Sequence, residues 1–232
     1  MTDMSPPTLP PGQARGSVIR DSLGVGLAVG AYGFAFGAAS VGSGLSVLQT
    51  SLLSLLAFTG GTQFAVVGVV AAGGSLAAAL GSGLLLASRN TLYAMRLAPI
   101  LRVRGVRRLA AALGTIDEST AMAVAQREPE LSRVAFWWTF AGVWVCWNAA
   151  TLLGAAGASA LGDPATFGLD AVIPAAFLAL VAPRIRNGVL ERRVAVAGAL
   201  IAAALIPWTP PGVPVLAAGA AVLLGSFVRG RT

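Results

Sequence analysis

The most constraining feature of this sequence is an apolar run of 30 residues, 45–74, that the glycine pair Gly60-Gly61 interrupts near its centre. As one straight helix the run would measure about 45 Å, well beyond the ~30 Å hydrocarbon core of a bilayer. Each half has about 13 residues, roughly 20 Å, and is too short to cross. Because glycine lets the backbone bend, the pattern predicts a broken or re-entrant helix.

The interruption holds two polar residues, Thr62 and Gln63, at membrane depth. Lipid offers no hydrogen-bond partners there, so the freed backbone groups must face protein or a water-filled cavity. Broken helices of this kind form the substrate sites of secondary transporters. The alternative interpretation is a kinked helix that is only packed inside a bundle.

The composition places the chain among polytopic membrane proteins. Fifty-six per cent of the residues are hydrophobic and only 11% are charged, with a mean hydropathy of +0.79. All sixteen cations are arginines, and they cluster between apolar runs. This clustering carries information about topology and is not the footprint of a nucleic-acid partner. Membrane lipid is therefore the predicted environment.

The apolar runs predict an all-α protein with six full spans and two re-entrant or broken half-helices. An arrangement in which both half-helices return to the face they entered puts every arginine cluster, and both termini, on the cytoplasmic side. The two half-helices then enter from opposite faces. The competing possibility, a full span at 109–126, misplaces one arginine cluster. The predicted spans are 23–41, 76–101, 134–158, 169–182, 194–207 and 213–228, and the half-helices are 45–74 and 109–126.

Two domains of very different character follow from this assignment. Residues 1–19 are predicted to be a disordered cytoplasmic tail, since they are polar and rich in proline. Residues 20–229 are predicted to form a single transmembrane domain. Within it, Gly26, Gly30, Gly33 and Gly37 make a stripe of small residues that suits close packing against a neighbouring helix.

Arg89 is the most exceptional charge, because it lies about midway along the 76–101 span. A charge at that depth costs ~2.5–3.5 kcal/mol even on the lenient insertion scale, so it should be paired. Asp117 and Glu118 are the carboxylates in an apolar context that could pair with it. They are predicted to form either a structural ion pair or a proton-coupling site. Asn90 and Tyr93 extend the polar strip on the same helix.

Catalytic chemistry has little support in the sequence. The chain has no histidine to activate its serines. Asp117 and Glu118 are adjacent, so on a helix they diverge by ~100° and cannot share a proton as an aspartyl dyad does. Phosphate-cradling loops and metal-ligand spacings are absent as well. We therefore predict a protein that is not an enzyme and has no cofactor and no metal site.

Four short motifs, in order, resemble the AzlC (YgaZ-type) family of branched-chain amino acid permeases across residues 20–185. Two positions depart from the family pattern: Asn90 stands where histidine is usual, and Ile116 where threonine is usual. The motifs are Phe34-Ala35-Phe36-Gly37, Gly60-Gly61-Thr62-Gln63-Phe64, Arg89-Asn90-Thr91-Leu92-Tyr93 and Asp117-Glu118.

This resemblance implies a multi-pass exporter of branched-chain amino acids in the bacterial inner membrane, working with a small AzlD-type membrane subunit. We expect alternating access around a midplane cavity, with Arg89 either assisting substrate binding or holding Asp117. A channel for a small polar solute and a non-transporting scaffold are the alternatives. The predicted substrate-binding residues are Gly60, Gly61, Thr62, Gln63, Arg89, Asn90 and Tyr93, and the predicted proton-coupling or ion-pair residues are Asp117 and Glu118.

Overall fold

A computed structural model describes residues 11–161 and 171–222, and in these ranges all regular secondary structure is helical. The prediction of an all-α fold is thus confirmed for the described part of the chain. The eleven helices are α1 Pro11–Gly30, α2 Tyr32–Gly42, α3 Val47–Leu56, α4 Gly61–Ala71, α5 Leu76–Leu101, α6 Val106–Leu113, α7 Asp117–Val124, α8 Pro129–Leu161, α9 Val172–Asn187, α10 Val189–Leu205 and α11 Val213–Ala218.

Helix α1 begins earlier than the sequence predicts. Residues 11–19 were expected in the disordered tail, but they form the first turns of α1, whereas residues 1–10 lie outside the described ranges. Pro11 suits the first helical position because its missing N–H has no intrahelical partner there. Val18 and Ser22, one turn apart, are both buried, so tertiary packing extends the helix in this direction.

Helices α1 and α2 together pack in parallel along α8. Only Ala31 separates them, and its own dihedral angles are helical. The predicted glycine stripe makes this contact: Gly26 meets Gly142, Gly30 meets Cys146, and Gly37 meets Thr151 and Ala155. Contacts that advance along both helices in the same order mean that the two run in the same direction.

Helix α3 runs antiparallel to α8 and ends halfway along it. Ser46 begins α3 with a reciprocal capping box, in which its hydroxyl accepts from Gln49 N–H and Gln49 Oε1 accepts from Ser46 N–H. Farther along, the Ser54 hydroxyl donates to Asn148 Oδ1 at 2.7 Å. Just past the end of α3, the rings of Phe58 and Phe140 lie 6.2 Å apart.

Helix α4 turns back toward the end at which α3 began. Its first residue, Gly61, lies against Arg89 on α5, and Val66 lies against Gly83, so α4 and α5 are antiparallel. Helix α5 is itself antiparallel to α8, because the Arg133 guanidinium donates to the carbonyl of Ile100 at 2.8 Å. Residues 45–74 therefore form a hairpin, hairpin A, with its tip at residues 57–61.

A second hairpin, hairpin B, consists of α6 and α7 and enters from the opposite end. Ala111 and Ala123, one on each arm, both pack against Phe136 near the start of α8. The tip at residues 114–116 reaches Phe140, whose ring lies 2.5 Å from where a methyl group on Gly114 would be. A single straight span through residues 109–126 does not form.

The remaining helices complete the bundle, with α9 packed against α2 and α4, α11 against α5, and α10 against both α9 and α11. Two of their predicted boundaries are wrong. Arg184 and Arg186 do not lie in a loop but in the last turn of α9, which continues through Pro183, and Gly188 alone separates α9 from α10. Helix α11 packs beside the first half of α5, where Leu216 meets Gly81. The part of the predicted last span after residue 222 lies outside the described residues.

The number of membrane crossings stays a prediction. Within residues 11–161 and 171–222, two helical segments are long and apolar enough to cross a membrane, Gly12–Gly42 and Pro129–Ala160. Helix α5 has 26 residues but carries Arg89 and Arg96. Helices α9 and α10 have 16 and 17 residues, against the ~20 that a span normally needs.

The tip of hairpin A depends on a backbone conformation that favours glycine. Gly60 has φ +60° and ψ −89°. Substitution by alanine is expected to cost roughly 1–3 kcal/mol from backbone strain alone, because a methyl group there has room, its nearest neighbour being the Trp147 ring at 3.9 Å. A lower midpoint of thermal unfolding for Gly60→Ala in detergent would show this cost. Gly157→Ala, with an ordinary φ and open space around it, is the control and should unfold like the parent.

Candidate functional site

A cavity of about 390 Å³ lies where the tips of the two hairpins meet beside the middle of α8. Both ends of the tip of hairpin A, from Phe58 to Gly61, contribute to its wall, and so does the start of α7. Its apolar wall consists of Val29, Phe58, Phe64, Leu86, Ile116, Val143, Trp147, Phe177, Ala179 and Val181. Its polar and glycine wall consists of Tyr32, Thr59, Gly60, Gly61, Arg89, Asp117, Glu118 and Arg184.

Arg89 and Asp117 form an ion pair across the cavity wall, with Arg89 Nη1 2.9 Å from Asp117 Oδ2. The pair joins α5 to the tip of hairpin B. The side chains of Arg89 and Asp117 are 30% and 33% exposed, so both charges remain partly accessible from the cavity. Asp117 Oδ1 and Arg89 Nε have no hydrogen-bond partner among the described residues, so the pair has capacity for one more polar ligand.

Two helices begin at the cavity, and their ends differ in charge. The first N–H groups of any helix have no intrahelical acceptor and carry partial positive charge. At α7 that charge meets Asp117 and Glu118 in the first turn. The first turn of α4 has no acidic residue and no side-chain cap. The α4 end is therefore a positive site that its own helix leaves unneutralised.

Hairpin A brings that end directly against the ion pair. A methyl group built on Gly61 would lie 3.4 Å from Arg89 Nη2, so the guanidinium sits beside the first turn of α4. Any side chain at position 61 would come between the two. The glycine thus leaves the N–H groups of α4 and the Arg89 guanidinium open to the same small anionic group.

The structure separates the predicted site residues into two sets. Gly60, Gly61, Arg89, Asp117 and Glu118 line the cavity. The other four lie behind its wall: Thr62, Gln63, Asn90 and Tyr93.

The residues behind the wall have identifiable neighbours. Gln63 is fully buried, and its amide donates to the carbonyl of Leu53 at 3.2 Å, which holds the two arms of hairpin A together. Thr62 faces Gly83 on α5. Tyr93 has Asp117, Arg89 and Arg184 as charged neighbours.

Sequence reasoning missed several wall residues. Trp147 was not among the predicted site residues, but it lines the cavity while its ring stacks on Phe36 with the ring centroids 6.0 Å apart. The available signal was that Trp147 lies one helical turn after Val143, another wall residue, and therefore on the same face of α8. Arg184 was assigned to a loop, and no pattern in the sequence placed it at the cavity. Tyr32 and Phe177 come from helices that only the tertiary fold brings together.

The fold and the cavity define a class of protein. Long apolar helices surround two half-length hairpins that enter from opposite ends, and charged groups meet an aromatic wall at their tips. In a membrane this is the architecture of a transporter with broken helices around a central site.

The sequence assigns the chain to a particular family. The AzlC protein family matches residues 24–161, more than half of the 232 residues, and the chain belongs to that family. This is a family of transporters, and membership implies a function in branched-chain amino acid transport. No curated protein and no solved structure matches the sequence.

Proposed function

We propose that this protein exports branched-chain and similar hydrophobic amino acids across the bacterial inner membrane by alternating access around the cavity. The observation that carries the proposal is the cavity itself. It combines a helix N-terminus whose own first turn has no acidic residue, a paired arginine and an aromatic wall at the point where the two hairpins meet.

The substrate carboxylate is placed at the first turn of α4. Free N–H groups at a helix start and the helix dipole together favour a carboxylate. Arg89 stands beside Gly61 and is held in place by Asp117, so it both assists the carboxylate and is itself positioned. The two roles that the sequence left open for Arg89 are thus compatible.

The aliphatic side chain of the substrate is placed against Phe58, Phe64 and Trp147. The volume of about 390 Å³ lies within the usual range for small-molecule sites. A hydrophobic wall distinguishes one methylene by only about 1–3 kcal/mol. Leucine, isoleucine, valine and methionine are therefore all expected substrates, with modest preferences among them.

The packing of α1–α2 on α8 supports the proposed topology. If both segments cross the membrane, their parallel direction requires an odd number of crossings between them. Hairpins A and B each return to the end they entered, so α5 must cross once. The chain crosses once in α1–α2 and returns once in α5, so residue 11 and the start of α8 lie on the same side. With the arginine clusters there, that side is the cytoplasm.

We further propose that a small AzlD-type membrane subunit works with this chain and that both chain termini are cytoplasmic. These proposals derive from the family membership and from the arginine distribution. Expression with and without a candidate subunit shows whether it is needed.

The test is efflux of preloaded leucine, isoleucine, valine and methionine from cells that express the chain with its candidate subunit. Gly61→Val is expected to reduce efflux at least ten-fold, which corresponds to about 1.4 kcal/mol, because the side chain separates the α4 N–H groups from the cavity. Gly157→Val is the matched control, since it adds the same side chain where nothing lies within 4 Å.

Three outcomes would count against the proposal. Equal efflux from the Gly61 and Gly157 variants at equal abundance would move the carboxylate site away from α4. Flux that never saturates and shows no counterflow would indicate a channel. Absence of efflux for all four amino acids would remove the assigned substrates.

A further inference from the structure

Glu118 is the cavity carboxylate without a cation partner. It lines the cavity, and no arginine forms a salt bridge with it among the described residues. Its neighbour Asp117 is already paired with Arg89 at 2.9 Å. Removing an unpaired carboxylate from water is costly unless a proton or a cation accompanies it. The Glu118 carboxylate therefore needs a proton or a cationic ligand to compensate its negative charge.

The charged and titratable groups around Glu118 come from four elements. Asp117 precedes it on α7, and Arg89 on α5, Tyr32 on α2 and Arg184 on α9 line the same cavity. Tyr93 on α5 adjoins Asp117. Helices α1, α4 and α8, and the loop 58–60, contribute apolar or uncharged groups to the cavity. Arg89 is already ion-paired with Asp117, and Arg184, which also lines the cavity, is exposed. None of these groups supplies Glu118 with a fixed counter-charge.

The proposed substrate carries the charge that is missing. An amino acid held by its carboxylate at the α4 end of the cavity still has an ammonium group to place. Glu118 lies in the first turn of α7, next to the tip of hairpin B, and Gly61 lies on the tip of hairpin A, so both hairpins contribute to one cavity. A zwitterion that bridges them satisfies the free helix end and the unpaired carboxylate together.

We propose that Glu118 binds the ammonium group of the substrate and a proton in turn, so that each amino acid leaving the cell is exchanged for one entering proton. This rests on the proposed function. In the step facing the cytoplasm, the protonated carboxyl group releases its proton to water and its carboxylate accepts the ammonium. In the step facing outward, the ammonium leaves and a proton from outside takes its place. No bond other than O–H forms or breaks, and the charge at Glu118 stays compensated throughout.

Proton release on binding tests the exchange directly. The purified chain, with its subunit if one is required, is mixed with leucine in weakly buffered solution at a pH where Glu118 is protonated. We expect release of up to about one proton per leucine bound. The matched ligand 4-methylpentanoate, which is leucine without its amino group, should release none. This comparison needs no variant.

The Glu118→Gln variant supplies a second, independent readout. In the parent protein, leucine affinity should strengthen as pH rises, because protons compete for the same carboxylate. In Glu118→Gln the affinity should be at least ten-fold weaker at high pH and should no longer change with pH. Asp117 is left intact in this variant, so the Arg89 pair remains.

The outcomes separate the two proposals. Leucine that binds without releasing protons, or a Glu118→Gln protein whose binding keeps the parental pH dependence, overturns the exchange at Glu118 while leaving leucine transport standing. Failure of the parent protein to bind or export leucine, isoleucine, valine or methionine overturns the proposed function, and the exchange proposal with it.

Discussion

Gly37→Val is expected to prevent accumulation of folded protein. A side chain at this position would overlap the carbonyl oxygen of Thr151 and the backbone nitrogen of Ala155 on α8. Backbone atoms cannot rotate away as a side chain can, so α2 and α8 would have to separate. Overpacking in a well-packed interior usually costs about 1–3 kcal/mol and occasionally more, and we expect at least the upper value here.

The measurement is the fraction of monodisperse protein after extraction, followed by size-exclusion chromatography with a fluorescent tag. Gly24→Val is the matched control, because it places the same side chain on the preceding helix α1 where nothing lies within 4 Å. Folded protein at the parental level in both variants would contradict the close parallel packing of α2 and α8.

The second large effect is expected at the ion pair. Arg89→Gln removes one partner and leaves the Asp117 carboxylate without its counter-charge. Breaking a buried pair in this way costs about 3–5 kcal/mol, and with side chains 30% and 33% exposed we expect the lower end of that range. Thermal unfolding in detergent should show a clear decrease in midpoint for this variant.

The double variant Arg89→Gln with Asp117→Asn separates structure from transport. Since it removes both charges, most of the lost stability should return. Leucine efflux should not return, because the guanidinium beside Gly61 is gone. A double variant that regains both stability and efflux would show that the pair has only a structural role.

The sequence was most informative where physical constraints are strict. A glycine pair inside an apolar run too long for one span predicted hairpin A, since lipid forbids unpaired backbone. Arg89 in the middle of a span required a partner, and Asp117 provides one at 2.9 Å. The glycine stripe predicted a close helix contact, although not that α8 would be the neighbour.

The composition of the cavity wall was much less predictable. The neighbours Val29 and Tyr32 are distant in sequence from both Trp147 and Phe177, so only the packing of α1 and α2 with α8 and α9 shows that they meet. Gln63 was expected at the substrate because polar residues at membrane depth often serve function. In the structure its amide donates to the carbonyl of Leu53 as a second donor beside Ala57 N–H, and so links α4 to the end of α3.

The equal height of the two hairpin tips has an electrical consequence. Both tips reach Phe140, and the cavity between them is lined by Val143 and Trp147, on either side of the middle of α8. The cavity therefore lies about halfway along that helix. A full membrane potential contributes about 2.3 kcal/mol per elementary charge per 100 mV, and a charge that stops midway gains roughly half of that. Exchange of a net-neutral amino acid for one proton would therefore carry current, and its rate would follow voltage as well as the pH gradient.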